Sequence, residues 1–133
     1  MQPPAAPAHE LIAFRQVRML LKTSSAYLRF LNLASAIRDI TAFPEMDSVE
    51  ESLLNAVVLA DFNKSALTVL QAMEILPNVS SSTASRRLKT LRKSGLVELV
   101  GDAGDERIRY VMPTPLAQRY FAQMGECLRQ AQT

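Results

Sequence analysis

The chain has 133 residues, a formal net charge of +2 and 48% hydrophobic residues, which suits one folded domain and argues against a disordered chain. No apolar run approaches the roughly 18 residues of a membrane span, and the N-terminus lacks the basic and apolar regions of a signal peptide. A single cysteine, Cys127, excludes an internal disulfide, so the sequence predicts a cytoplasmic protein with no membrane partner.

The first predicted element is a helical segment over residues 9–44. Three prolines near the start of the chain predict a disordered tail over residues 1–8. No glycine or proline lies between Pro7 and Pro44, which predicts one helix, or two helices that meet near residues 23–25. Apolar residues follow at helical spacing: Phe30, Leu33, Ala34, Ile37 and Ile40. We expect this stripe to form a homodimer interface, with packing against the chain's own domain as the alternative.

The next two helices are predicted from their caps. Ser48 and Glu51 have the spacing of a capping box, so the second helix is predicted to begin near Asp47 or Ser48. Ser65 is predicted to cap a third helix, which Pro77 stops. These two helices precede the most charged part of the chain.

Positive charge is concentrated in residues 80–97. These residues hold five cations and no anion, whereas residues 41–79 hold one cation and six anions. Ser80 or Ser81 can cap a helix here, and Gly95 can end it in a left-handed conformation. At about 100° per residue, three apolar side chains share one face. The side chains that point away from that face are Ser82, Arg86, Lys89 and Lys93. A local basic face on a nearly neutral protein indicates an anionic partner.

After Gly95 the apolar period shortens to about two residues, which predicts a pair of strands. Residues 96–100 form the first strand, and a loop with two glycines follows. Residues 107–112 form the return strand, in which Arg107 and Arg109 share a face. Thr114 is then predicted to cap a C-terminal helix with Pro115 at its first position.

The order of these elements predicts the fold class. Two helices, a short turn, a basic helix, a hairpin and a last helix make a helix-turn-helix followed by a wing. We therefore expect a mainly α protein with a small antiparallel β-hairpin wing. Residues 45–113 are the predicted winged-helix DNA-binding domain, and the helices of residues 9–44 and 114–133 are predicted to serve dimerisation.

Residues 82–97 resemble the recognition helix and following strand of MarR-type winged-helix regulators. Asp105-Glu106-Arg107 is similar to the Asp-x-Arg at the wing of that family. Thr114-Pro115 is similar to the start of the family's next helix. The resemblance covers roughly residues 50–120. It implies a dimeric, sequence-specific regulator of transcription, a repressor, whose partner is double-stranded DNA.

The resemblance and the chemistry of duplex DNA together give the predicted site. The major groove admits one α-helix, so helix 81–94 is predicted to read bases, with Arg86 in a bidentate contact to guanine. In the family, the wing arginine reaches the minor groove and the aspartate orients it, roles that fall on Arg107 and Asp105 in wing 101–109. The predicted DNA-binding residues are Ser81, Ser82, Thr83, Ser85, Arg86, Arg87, Lys89, Thr90, Lys93, Asp105, Arg107 and Arg109.

The sequence gives no support for an enzyme. It has no Cys and His cluster with zinc spacing, no phosphate-binding glycine loop and no nucleophile paired with a base, so no metal or cofactor is predicted. Two alternatives stay open. One is a winged-helix protein for plasmid or chromosome maintenance, and the other is a protein-interaction module that uses the same basic face. The operator, any small-molecule effector and the choice between repressor and activator also stay open.

Overall fold

The computed structural model describes residues 8–40 and 43–132. Along these residues the chain forms five helices and one two-stranded antiparallel hairpin. The helices are α1 (Ala8–Ile40), α2 (Ser48–Phe62), α3 (Val69–Glu74), α4 (Ser81–Lys93) and α5 (Pro115–Ala131), and the strands are β1 (Val97–Gly101) and β2 (Arg109–Pro113). The predicted fold class, a mainly α winged helix-turn-helix, is confirmed. Residues 1–7 of the predicted tail lie outside the described residues.

The chain divides into two compact units. One contains α1 and the end of α5 from Gln123 onward, and the other, the winged-helix unit, runs Phe43–Ala122. In the first unit, α1 is one helix of 33 residues rather than two. The hydroxyls of Thr23 and Ser25 donate to the carbonyl oxygens of Met19 and Leu21 at 2.9 and 2.8 Å. Hydroxyl side chains bonded to the preceding turn can stay inside a helix, so the polar residues at the predicted break do not interrupt it.

The capping box of α2 lies one residue before the predicted one. Asp47 is the N-cap: the Glu50 N–H donates to Asp47 Oδ1 at 2.8 Å, and the Asp47 N–H donates to Glu50 Oε1 at 3.5 Å. The pair Ser48 and Glu51 has the same spacing in sequence. A carboxylate cap also interacts favourably with the positive end of the helix dipole, which favours Asp47 over the hydroxyl of Ser48.

The third helix begins later than predicted. Thr68, rather than Ser65, is its N-cap, and the Gln71 N–H donates to Thr68 Oγ1 at 3.2 Å. The Val111 N–H donates to the carbonyl oxygen of Leu67 at 2.8 Å, and Thr68 forms a β-bridge with Tyr110. These residues are therefore held in extended conformation against β2. A contact distant in sequence overrides the local capping signal at Ser65.

The core of the winged-helix unit lies between α2, α4 and the hairpin. Its largest fully buried side chains are Leu53, Leu54, Val57, Leu91, Leu96 and Val111. The three apolar residues that share one face of α4, namely Ala84, Leu88 and Leu91, are all buried. Contacts of α4 with α2 and α3 cover this face, so the opposite face of the helix is left in solvent.

Candidate nucleic-acid interface

The polar side of α4 is open to solvent along the whole helix. Its N-cap is Ser80, one of the two caps predicted, and the Ser80 hydroxyl accepts from the Thr83 N–H at 3.2 Å. The predicted site residues of this helix that are exposed are Ser81, Ser82, Arg86, Lys89, Thr90 and Lys93, and those half-buried are Thr83, Ser85 and Arg87. We call Ser82, Arg86, Lys89 and Lys93 the basic face.

Arg86 leans towards the start of α4. Its Nη2 donates to Thr83 Oγ1 at 3.3 Å, and that oxygen also accepts from the Ser80 hydroxyl at 2.9 Å. A guanidinium carries five N–H donors, so one bond of this kind leaves enough donors for a bidentate contact. The hydroxyls therefore direct the Arg86 charge towards the N-terminal turn, which is the part of a recognition helix that contacts base edges.

Three cations and one anion, Glu98, line a cleft beside the C-terminal half of α4. Lys89, Arg92 and Lys93 line one wall, and residues 97–99 of β1 line the other, around a volume of about 520 Å³. Sequence reasoning left Arg92 out of the site because its position at the flank of the apolar stripe suggested that its stem covers the core. The side chain is exposed, so Arg92 adds to the positive charge at the end of the helix.

Gly95 ends α4 and directs the chain into the wing. Its φ of +78° is the left-handed conformation predicted for it. The Leu96 N–H donates to the carbonyl oxygen of Leu91 at 3.0 Å and closes the last turn. The Thr114 hydroxyl donates to the Gly95 carbonyl oxygen at 2.6 Å and accepts from the Ala117 N–H at 3.3 Å. The end of α4 is therefore tied to the start of α5, where Thr114 and Pro115 have the predicted arrangement.

The wing consists of β1, β2 and the loop between them, residues 102–108, which carries Arg107 near its end. The strands pair in antiparallel register from Val97 with Pro113 to Gly101 with Arg109. The return strand begins at Arg109, not at residue 107 as predicted, because the Ile108 N–H donates to the Asp105 carbonyl oxygen at 3.1 Å and prolongs the turn. Arg107 and Arg109 therefore do not share a strand face, although both are exposed.

Asp105 holds both the backbone N–H and the guanidinium of Arg107. Its Oδ1 accepts from the Arg107 backbone N–H at 3.0 Å and from Arg107 Nε at 3.3 Å, and its Oδ2 accepts from Nη2 at 3.4 Å. These bonds hold the pKa of the Asp105 carboxyl below its usual value. The Arg107 side chain is nevertheless 91% exposed. This geometry is compatible with the role predicted for Asp105, which is to orient Arg107.

The sequence reasoning missed two residues that organise the wing, Asp102 and Tyr110. Asp102 Oδ2 accepts from the backbone N–H groups of Gly104 and Asp105 at 2.9 and 3.0 Å, and Oδ1 accepts from the Tyr110 hydroxyl at 3.0 Å. The bond to the carboxylate raises the pKa of Tyr110. An aspartate between two glycines of a loop indicates a turn. The bond between Asp102 and Tyr110 depends on strand register, so it could not be predicted from the local sequence.

We expect Asp102→Ala to loosen the wing without changing which bases α4 prefers. The substitution leaves two backbone N–H groups and one hydroxyl without their acceptor, which costs about 1 kcal/mol of folding free energy. Amide hydrogen exchange should accelerate in residues 103–108, and affinity for a preferred duplex should fall by about two- to fivefold. Glu106→Ala, an exposed carboxylate of the same loop, is the matched control. Equal exchange rates in the two variants would show that Asp102 does not organise the loop.

Arg87 differs from the other cations of α4 because it is paired. Its Nη1 lies 2.8 Å from Asp47 Oδ2 and 3.6 Å from Glu50 Oε1, both at the start of α2. The side chain is turned from the basic face towards α2.

Two further observations concern membrane spans and metal ions. Within residues 8–40 and 43–132, every helix falls short of the length or apolar character that a bilayer crossing requires. Over the same part of the chain, no group of three or more His, Cys, Asp or Glu side chains is arranged to hold a metal ion.

The architecture defines a winged helix-turn-helix protein, arranged as in MarR-type transcriptional regulators. No protein-family model and no curated protein matches the chain by sequence. Solved structures do match. YusO from Bacillus subtilis shares 13% identity, with a TM-score of 0.58 over 96% of this chain and 82% of YusO.

Two other solved structures show the same likeness. FabT from Streptococcus pneumoniae, in complex with DNA, shares 16% identity, with a TM-score of 0.55 over 90% of this chain and 78% of FabT. The heme sensor protein PefR from Streptococcus agalactiae, in complex with heme, shares 22% identity, with a TM-score of 0.54 over 88% of this chain and 74% of PefR. FabT and PefR are MarR-family winged-helix regulators. At these identities the likeness establishes the fold, and the MarR-type fold suggested by residues 82–97 is confirmed.

Proposed function

We propose that the protein is a dimeric, sequence-specific, double-stranded DNA-binding regulator of transcription, a repressor, that acts in the cytoplasm. The observation that carries this proposal is the division of α4 into a buried apolar face and a solvent-facing side that contains no acidic residue. Duplex DNA presents a dense line of phosphates and a major groove that admits one α-helix. The exposed side of α4 is complementary to that groove in charge.

Within α4, the proposed roles follow the exposure of the side chains. Arg86 reads a guanine through O6 and N7, since a fork of parallel N–H donors matches that edge. Small residues of the first two turns let the helix backbone approach the base edges: Ser81, Ser82, Thr83 and Ser85. Lys89, Thr90 and Lys93 hold phosphates and fix the register of the helix on the duplex.

In the wing, Arg107 is the residue proposed to reach the minor groove, and Asp105 is proposed to orient it. The ion pair between them uses one edge of the guanidinium and leaves the other N–H donors for DNA. Arg109 stands at the start of β2 and is exposed, which suits a contact to the backbone. A minor-groove arginine of this kind responds to groove width as well as to base identity.

The proposed dimer rests on α1. Ten large apolar side chains between Leu11 and Leu31 are exposed on this helix, and an apolar surface of that extent marks an interaction site. Five of them follow the heptad positions of a helix–helix seam, with spacings of three, four, seven and three residues, and Ser24 occupies the seam position between Leu21 and Leu28: Phe14, Val17, Leu21, Leu28 and Leu31. We propose that a second copy covers this seam, which lies towards the N-terminus from the stripe predicted from sequence. In the single chain Ala34 of that predicted stripe is buried and Phe30, Leu33 and Ile37 are half-buried, which favours the alternative of packing within the chain for those residues. Two recognition helices about 34 Å apart would then read a pseudo-palindrome.

The structural neighbours support the regulator proposal at the level of the fold. One of them, FabT, is a complex with DNA, and a winged helix with an exposed basic recognition helix is suited to the same partner. The heme in PefR belongs to that protein, and we propose no cofactor for this chain. The small-molecule effector, if the regulator has one, is not specified by the proposal.

Selection of binding sequences from a random duplex library, followed by a salt titration of the winning sequence, tests this function. We expect a symmetric site that is bound at least about a thousandfold more tightly than bulk DNA. Weak, salt-sensitive binding without a consensus would favour a maintenance role. Absence of binding at low salt, with saturable binding to a protein, would show instead that the basic face serves a protein partner.

A further inference from the structure

Arg87 joins α4 to the N-terminal cap of α2. Its guanidinium lies 2.8 Å from Asp47 and 3.6 Å from Glu50. These two carboxylates also form the capping box that begins α2. One arginine of the recognition helix is therefore bound to the residues that fix the first turn of a neighbouring helix.

The cluster is more constrained than an ordinary surface ion pair. The Glu50 side chain is only 8% exposed, and a buried carboxylate is costly unless a positive charge or hydrogen bonds compensate it. Asp47 is held in place by the Glu50 N–H, and this bond, together with the charge of Arg87, keeps the pKa of Asp47 below its usual value despite partial loss of solvation. The Arg87 and Asp47 side chains are 41% and 39% exposed, so the constraint on the guanidinium comes from the buried Glu50 and from the capping bond that holds Asp47.

A fixed Arg87 side chain constrains the rotation of α4 about its own axis. The apolar face of α4 is narrow and includes Ala84, a single methyl group, with Leu88 and Leu91. Close packing of these side chains limits the roll of the helix, and the ion pair adds a directional contact at the flank of the apolar face. An ion pair is sensitive to a small roll. Arg86 is the adjacent residue, about 100° around the helix, so the rotation that Arg87 sets is also the rotation of Arg86.

We propose that Arg87 is a positioning residue: through Asp47 and Glu50 it sets the rotation of α4 and hence the base contacts of Arg86, and it does not itself bind phosphate. The proposal rests on the function proposed above and replaces the predicted DNA contact of Arg87. On this proposal, the first residues of α2 contribute to DNA sequence specificity although they do not contact DNA.

Arg87→Gln tests the proposal, with Arg92→Gln as the matched control. Arg92 is an exposed cation on the same helix. Affinity is measured for the selected duplex and for an unrelated duplex over a range of salt concentrations. We expect Arg87→Gln to weaken the selected duplex by about tenfold, a partial loss of one bidentate base contact, with unchanged affinity for the unrelated duplex and an unchanged salt slope. Arg92→Gln should weaken both duplexes alike and lower the salt slope by about one.

Two further variants separate positioning from loss of structure. Asp47→Asn keeps a good N-cap residue but removes the charge that Arg87 contacts. It should reproduce the loss of specific affinity, and the double variant should be no worse than either single variant. Arg87→Lys should bind the selected duplex more tightly than Arg87→Gln but less tightly than the wild-type protein, because lysine keeps the positive charge but lacks the planar guanidinium. Circular dichroism establishes that each variant is folded at the assay temperature.

Three results would overturn the proposal. A fall in affinity for the unrelated duplex, with a smaller salt slope, would make Arg87 a phosphate contact. If Asp47→Asn binds the selected duplex with wild-type affinity while Arg87→Gln binds it weakly, the Arg87–Asp47 ion pair is not the cause of the loss. Wild-type discrimination by both variants would leave the ion pair without any effect on recognition. Failure of the regulator function is distinguishable, since the wild-type protein would then select no sequence.

Discussion

Arg86→Ala is expected to weaken binding to the preferred duplex by about 5- to 150-fold and to relax base preference at one position in each half-site. The range corresponds to about 1–3 kcal/mol for the loss of a bidentate contact to guanine. Arg86 is exposed, and the one hydrogen bond of its side chain in the described residues joins it to Thr83 of its own helix. Folding should therefore change little. Competition titrations with each base substituted in turn, and a second selection with the variant, measure the effect.

Lys93→Ala is the matched control for Arg86→Ala. Lys93 lies on the same basic face, two turns further along α4, and is exposed. A phosphate contact carries no sequence information, so this variant should weaken all duplexes alike and lower the salt slope by about one. An unchanged consensus after selection with Arg86→Ala would mean that another side chain of α4 reads the bases.

The parts of the fold that could be predicted are those whose signals are local. α4 is the best example: its cap at Ser80, its apolar stripe and its terminal Gly95 all lie within 16 residues of sequence, and each has its predicted role. The same holds for Thr114 and Pro115 at the start of α5. Caps and stripes depend on neighbouring residues of one chain segment, so they can be recognised without the rest of the fold.

The features that were missed depend on residues far apart in sequence. The third helix begins at Val69 because Leu67 pairs with Val111, 44 positions away. Arg87 was predicted to contact DNA from its charge and position, and its pairing with Asp47 and Glu50 of another helix was not predicted. Nothing in the local sequence distinguishes a cation paired with a neighbouring helix from one that is free. The exposure of the candidate site's side chains could therefore be predicted, but not the contacts with other elements that orient them.

The second large effect is expected for Leu21→Glu, a substitution in the middle of the proposed seam on α1. The Leu21 side chain is 62% exposed, so a single chain loses little packing, and glutamate is a good helix former. In a dimer the same change puts two carboxylates into the apolar contact between copies, where an unpaired charge is costly. We expect the variant to be monomeric at micromolar concentration in sedimentation experiments. When the two protein copies are no longer linked, binding of one half-site no longer brings the second copy to the other half-site. Affinity for the symmetric site should therefore fall by at least about a hundredfold.

Leu59→Glu separates this effect from a general response to added charge. Leu59 lies on α2 of the winged-helix unit, and its exposed fraction of 60% matches that of Leu21. It should remain dimeric and keep most of its affinity for the symmetric site. Binding of Leu21→Glu to an isolated half-site should equal that of the wild-type protein, because α4 and the wing are intact. A Leu21→Glu protein that stays dimeric would exclude this seam of α1 as the interface, and the exposed apolar side chains of α1 would then require a different partner.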